Sequence, residues 1–160
     1  MIAVDAFRRL SGSADVASTF DLVRALDALA GRNVRVINLS LAGPDNALLK
    51  TTVEAMIERR VILVAAVGNA GPRAKPLYPA GYDGVIAVTA VDRGRNAYRR
   101  ANQGAHVDIA APGVNVWTAA SISGARPKSG TSFAAPFVSA AAAVLLAERP
   151  DLTPVQMAEA

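Results

Sequence analysis

Apolar runs of strand length alternate along this chain with segments of helical period, and the alternation confines it to parallel strands joined by crossover helices. The candidate strands are IAVDAF (2–7), VRVINLS (34–40), VILVAAV (61–67), GVIAVTAV (84–91) and HVDIAAP (106–112). Between the first two, Leu22, Ala25, Leu26 and Leu29 recur at i, i+3, i+4 and i+7 and mark one apolar helix face; Leu49, Val53, Met56 and Ile57 mark another between the next two. Two βαβ units follow from this pattern. The connection over 68–84 holds too much Gly and Pro for a helix and reads as a long irregular loop, and such loops at strand ends tend to carry function. A helical pattern runs from 130 to 148 and stops at Pro150, and a last helix starts with Thr153 as N-cap and Pro154 at its first position. No internal repeat and no linker interrupts the chain, so it is one domain or part of one.

A chain of 160 residues, 52% hydrophobic and 19% charged, can bury a sizeable core and is not a disordered tail. It has no cysteine, which removes a disulfide framework, a thiol nucleophile and a cysteine-type zinc site and leaves the redox compartment open. The net charge is +4, with basic residues densest in DRGRNAYRR at 92–100. Only Tyr98 there offers a ring for stacking, so the cluster reads as a solvated loop and no nucleic-acid partner is expected. The weakly polar run over 133–147 is shorter than the roughly 20 residues that span a bilayer and contains Pro136 and Ser139. It is expected as a buried helix, with no membrane partner. MIAVDAFRRL lacks a basic leader and is interrupted by Asp5, so it is no signal peptide; its start in mid-strand reads as a chain with a segment missing upstream.

Chemistry concentrates where Gly130-Thr131-Ser132 opens the long helical run. A serine hydroxyl is a poor nucleophile at neutral pH unless a base takes its proton, and a helix N-terminus offers N–H groups and a positive dipole end to a developing oxyanion. Gly130 permits a tight turn, and Ala134 and Ala135 leave room for a bound chain. The same residues also suit a simple N-cap by Thr131 or Ser132, and the tripeptide alone does not choose between the two.

Five ordered segments bear on that choice. GTSFAAP (130–136) resembles the nucleophile motif of the subtilisin-like serine peptidases, usually Gly-Thr-Ser-Met-Ala-x-Pro. VINLSLAGP (36–44) resembles that family's substrate-pairing edge, and VAAVGNAGP (64–72) its oxyanion-hole segment. YPAGYDGVIAVTAVD (78–92) and DIAAPG (108–113) resemble its next two strands, so the likeness runs over 2–160. It implies an α/β, three-layer fold with a mostly parallel sheet, N-terminally truncated, in which 1–160 is a partial peptidase domain.

By that resemblance, Ser132 is the nucleophile and Asn69 the side-chain donor of the oxyanion hole, since a neutral amide donates without titrating. Ser40, Leu41, Ala42 and Gly43 would pair with an extended peptide by strand addition, and Ala66, Val67, Gly68, Leu77 and Thr131 would complete the substrate-binding set. The Tyr78–Pro79 bond is expected to be cis. Leu77 stands where the family often has glycine, which predicts a narrowed pocket that takes small or medium apolar residues before the cut.

The chain departs from the family in Phe133, for methionine, and in Phe137-Val138-Ser139-Ala140, for a stretch with a packing histidine. More consequential, it has no Asp-Ser/Thr-Gly turn and no His-Gly-Thr helix start, the family's carriers of the catalytic aspartate and histidine. The one histidine, His106, matches a position at the start of a strand far from the active centre. Met1 therefore falls inside the family domain. The resemblance then places an absent strand between 2–7 and 34–40 and leaves apolar surface uncovered on the Ser132 helix. Oligomerisation, N-terminal disorder or reliance on a complementing segment is expected.

The leading reading is part of a serine endopeptidase domain, acting on peptide or protein substrates through Ser132 in the complete domain and inactive alone. The alternative is a non-catalytic peptide-binding or interaction module, favoured by the absent triad residues and opposed by the intact Ser132 and Asn69. No cofactor is identifiable and no metal ligand set is visible; calcium enters only through the resemblance. The family also favours an extracellular or periplasmic location.

Overall fold

In a computed structural model of the chain, residues 1–9, 15–119 and 124–160 are described. The elements are β1 (Arg8–Arg9), β2 (Asp15–Val16), α1 (Thr19–Ala30), β3 (Val36–Leu39), α2 (Ala47–Glu58), β4 (Ile62–Ala66), β5 (Val85–Val91), β6 (Ile109–Pro112), β7 (Val116–Ala119), β8 (Ala125–Lys128), α3 (Thr131–Glu148) and α4 (Pro154–Glu159).

Four strands form one parallel sheet in the order β3-β4-β5-β6. Strand side chains alternate between faces, and the core divides accordingly. Ile37, Leu39, Leu63, Ala65, Val85 and Ala87 face α1 and α2, where they meet Leu26, Leu49, Val53 and Met56. Ile62, Val64, Ala66, Ile86, Val88 and Ala90 face α3 and α4, where they meet Ala134, Ala135, Ala142, Leu146 and Met157. β4 is buried along its whole length, which explains why its sequence is an unbroken apolar run. The three-layer α/β fold thus follows from helices covering both faces of a parallel sheet.

The helix boundaries obey local chemistry. Asp21 N donates to Ser18 Oγ at 3.1 Å at the start of α1, and Leu48 N and Leu49 N donate to Asn46 Oδ1 at the start of α2. Thr153 and Gln156 close a capping box on α4, with Pro154 in its first turn as the sequence pattern implied. The α2 cap is itself held from below: Asn46 N donates to Tyr82 Oη at 3.1 Å, and that hydroxyl donates to Asp45 Oδ1 at 2.9 Å or Asn46 O at 3.0 Å. Burial, above all, pushes the Tyr82 phenol above its ordinary range.

The structure differs from the sequence reading in a strand and in the expected burial of a helix, it bears out the expected bare surface on that helix, and it adds a hairpin. Residues 2–7 form no strand and join no sheet; Ile2, Val4 and Phe7 are exposed, because an extended run without a neighbour has only water for its backbone groups. β3 is consequently an edge of the four-stranded sheet. Second, α3 is not wholly buried: Phe137 is 49% and Val144 60% exposed, so one side packs on the sheet and the other is bare. By length and composition alone α3 could also cross a membrane. Its sheet-facing alanines show the packing it makes in the fold. Third, the antiparallel hairpin β7–β8 had no counterpart in the sequence reading.

Leu63 is fully buried whereas Val144 lies on the bare side of α3, so their truncations separate core from uncovered face. Urea unfolding is expected to give a loss of about 2–5 kcal/mol for Leu63→Ala and below about 0.5 kcal/mol for Val144→Ala. Because Tyr82 keeps its proton longer folded than unfolded, its contribution is complete below the unfolded value near ~10 and disappears as pH rises through the folded value. Tyr82→Phe is expected to lack that alkaline component in stability measured against pH.

Candidate functional site

The site gathers at the carboxyl ends of the parallel strands, where the chain leaves β3 and β4 and where α3 begins. Gly130 N donates to Gly113 O at 2.8 Å, which brings the start of α3 against the segment after β6. A Cβ on Gly113 would stand 2.6 Å from Ala90 Cβ and 2.9 Å from Gly130 O, so this approach is open only to glycine.

The first amide of α3 has no intrahelical acceptor and no cap from Gly130. Asn69, on the loop after β4, supplies one: Thr131 N donates to Asn69 Oδ1 at 3.0 Å. Gly68 N donates to Thr131 Oγ1 at 3.2 Å, and Thr131 Oγ1 lies 3.4 Å from Asn69 Oδ1. The amide oxygen of Asn69 is thereby occupied, and its Nδ2 lies beside the helix N-cap, 3.5 Å from where a Cβ on Gly130 would stand. Among the described residues, neither Asn69 Nδ2 nor Ser132 N has an acceptor. Two unengaged donors at the positive end of a helix can stabilise a negative oxygen.

Pro136 lies inside α3 and has no N–H to give to the carbonyl four residues back, which is Ser132 O. Ser40 Oγ takes that acceptor at 2.9 Å, and Ser132 Oγ in return donates to Ser40 O at 3.2 Å. Asn38 Nδ2 donates to Ser40 Oγ at 2.8 Å, and Ser139 Oγ reaches both Asn38 Oδ1 and Ala135 O at 3.1 Å. Ser139, one of the departures from the family motif, thus helps moor α3 to the edge strand.

A cleft of about 410 Å³ opens here. Ser40, Leu41, Ala42, Ala66, Gly68, Asn69, Leu77 and Ser132 all line it. The other expected residues lie behind it. Val67 is fully buried in the core, and Thr131 is buried and orients Asn69. Gly43 exchanges both backbone hydrogen bonds with Tyr78, each 2.9 Å, which leaves 40–42 as the open edge. Tyr78–Pro79 is cis. Leu77 fills the space over Gly68, whose hypothetical Cβ would meet Leu77 Cδ1 at 2.7 Å; with φ at +99°, Gly68 is also in a conformation that favours glycine.

His106 is at the other end of the sheet. It precedes β6, whereas Gly113, which contacts the start of α3, follows it. Its Nε2 is buried without a partner.

Three residues of the site were not legible in the sequence. Phe7 and Asp15, from the segments flanking α1 on its N-terminal side, line the cleft. Asn102 is fully buried behind it: Ala70 N donates to its Oδ1 at 2.8 Å, its Nδ2 donates to Lys75 O at 3.3 Å, and its backbone N donates to Gly68 O at 3.1 Å. It clamps both sides of the loop that carries Asn69. No periodicity or motif marks such a residue, because its role exists only where two distant segments meet.

Asn102→Leu leaves Ala70 N–H and Lys75 C=O without partners and is expected to cost about 1–3 kcal/mol. Hydrogen exchange should speed up selectively at Ala70 and Gly71; uniform acceleration across β4 and β5 would show a general defect instead.

Comparison with known proteins places the chain in a family. The model of the Subtilase family matches residues 6–160. Subtilisin DY of Bacillus licheniformis is 36% identical over 140 residues, covering 85% of this chain and 51% of that protein. Subtilisin Savinase of Lederbergia lenta is 37% identical over 148 residues, covering 92% of this chain and 54% of that protein. The crystal structure of a cold adapted subtilisin-like serine proteinase superposes with a TM-score of 0.83 at 29% identity, over 90% of this chain and 54% of that one. This chain spans about half the length of these relatives, and it belongs to the subtilase family of serine peptidases.

Proposed function

We propose that these 160 residues supply the nucleophile, the oxyanion hole and one substrate edge of a serine endopeptidase, with the proton-shuttling histidine and its aspartate contributed from outside them. The observation that carries this reading is the pairing of Ser132 with two donors, its own N–H and Asn69 Nδ2, that no described residue uses. Ser132 Oγ attacks a peptide carbonyl as the supplied histidine takes its proton, and the oxygen that becomes negative is received between those donors; the C–N bond then breaks as that proton passes to the departing amine, and water hydrolyses the acyl-enzyme. An extended substrate lies along 40–42, adding a strand to the edge of the sheet. Leu77 narrows the cleft and favours small or medium apolar side chains before the cut.

The chain alone is inactive in this reading. Ser132 Oγ rests on a carbonyl oxygen, Ser40 O, which takes no proton from it, and the one histidine is separated from it by the length of β6. A complementing N-terminal segment, covering β3 and the bare side of α3, restores the base. Family membership favours an extracellular or periplasmic setting. Calcium enters this reading only through the family resemblance, and among the described residues no group of three or more acidic or histidine side chains could hold a metal.

Fluorophosphonate labelling of the purified chain and of Ser132→Ala, each with and without a supplied segment bearing the aspartate and histidine, tests this. Labelling is expected only on complementation and only with Ser132 present. Labelling of the bare chain would locate a base within these residues. Absence of labelling under every condition would favour a peptide-binding module without catalysis.

A further inference from the structure

The loop that carries Asn69 continues through Arg73 and Lys75, both exposed. Gly71 N donates to Arg100 O at 2.9 Å, and Asn102 Nδ2 donates to Lys75 O at 3.3 Å, so this loop lies against the Arg99–Arg100 segment. Arg99 and Arg100 are exposed too. Four cations therefore share one rim although 24 to 27 positions separate the two pairs in sequence, counting from Lys75 to Arg99 and from Arg73 to Arg100. The cluster at 92–100 had read as a solvated loop; packing against 71–75 gives it a second basic segment beside the site.

The rim is not neutralised from within. Among the described residues none of the four makes an ion pair; the only such pair joins Arg8 and Asp21. The one acid in the neighbouring turn, Asp92, has its carboxylate occupied by Asn96, whose backbone N donates at 2.9 Å and whose Nδ2 donates at 3.1 Å. Arg93 and Arg95 extend the positive surface beyond that turn and are exposed.

The rim is also close. Gly71 follows Asn69 by two residues, so their Cα atoms are at most about 7.6 Å apart. The Arg100 backbone then lies roughly 10 Å from the oxyanion-hole residue, which an extended peptide covers in about three residues at ~3.4 Å each.

We infer that this rim is a specificity surface for acidic polypeptide: the substrate carries Asp or Glu within a few residues of the bond placed at Ser132. The inference rests on the peptide-binding reading above and adds the chemical class of the flanking sequence. Polypeptide, and not nucleic acid, is the occupant because the segment bearing Arg73 and Lys75 runs between Ala70 and Leu77, which both line a cleft with an open strand edge, while the basic segments present only Tyr98 as a ring for base stacking. Exposed charges in such an arrangement act on selection and encounter more than on total affinity, and they weaken with salt.

The test measures fluorescence anisotropy of two labelled peptides on the 160-residue chain. Both share an apolar anchor; one is flanked by aspartates and the other by serines. The acidic peptide is expected to bind about tenfold more tightly at low salt, the sum of several exposed pairs. The preference should vanish in Arg99→Glu/Arg100→Glu and shrink in Arg73→Glu/Lys75→Glu, with serine-peptide binding and circular dichroism unchanged. Ala42→Pro, which removes an edge N–H, should weaken both peptides. Equal binding of the two peptides, with both lost in Ala42→Pro, would overturn the acidic preference and leave the peptide site standing. No binding of either would overturn both readings. Single-stranded DNA that binds as tightly as the acidic peptide, with Ala42→Pro affecting neither, would make the rim a nucleic-acid surface and overturn this one.

Discussion

The hydrogen bond from Thr131 N to Asn69 Oδ1 is the joint on which the site depends. It unites the loop after the most deeply buried strand with the N-terminus of the longest helix, and it satisfies a backbone donor that helix geometry leaves unpaired. Because an amide has one acceptor end and one donor end, occupying the oxygen decides where the NH2 points. Asn102 stabilises the same loop from behind, Thr131 Oγ1 receives Gly68 N, and Gly113 permits the close approach of α3. Each of these residues would have little to do if the β4 loop and α3 were not adjacent.

The two sides of α3 show a different constraint. Toward the sheet its alanines allow close packing onto Ile62, Val64 and Val88, and that interface accounts for half of the core. Away from the sheet, Phe137 and Val144 face solvent, and among the described residues β3 has no strand on its outer edge. Exposed apolar side chains next to unpaired strand groups are the features that soluble proteins usually cover. The polar chain of Asn38, Ser40, Ser132 and Ser139 ties the helix to this strand, so whatever covers that edge also bears on Ser132.

Legibility followed the range of the interaction. β4 and β5 were readable because burial on both faces makes an apolar run, and α1, α2 and α4 because caps and period act within a few residues. Residues 2–7 looked like a strand for the same local reason, yet a strand exists only where a neighbour accepts its hydrogen bonds, and none is adjacent. The β7–β8 hairpin escaped because neither strand buries an apolar face: β7 alternates between half-buried and exposed residues, and β8 is exposed at its first three. Asn102, Phe7 and Asp15 escaped because nothing nearby in sequence distinguishes a clamp or a wall from an ordinary surface residue.

The class of fold, the family motifs around Ser132 and Asn69, and the count of one histidine are legible in the residue order, since these are properties of composition, period and order. Packing between distant segments alone settles that Asn69 Oδ1 accepts from Thr131 N, that Gly43 is already paired and leaves 40–42 open, that α3 is bare on one side, and that two basic segments meet at one rim. Each of those outcomes depends on which distant groups satisfy one another's hydrogen bonds or exclude one another's water, and a linear order of residues does not contain that pairing.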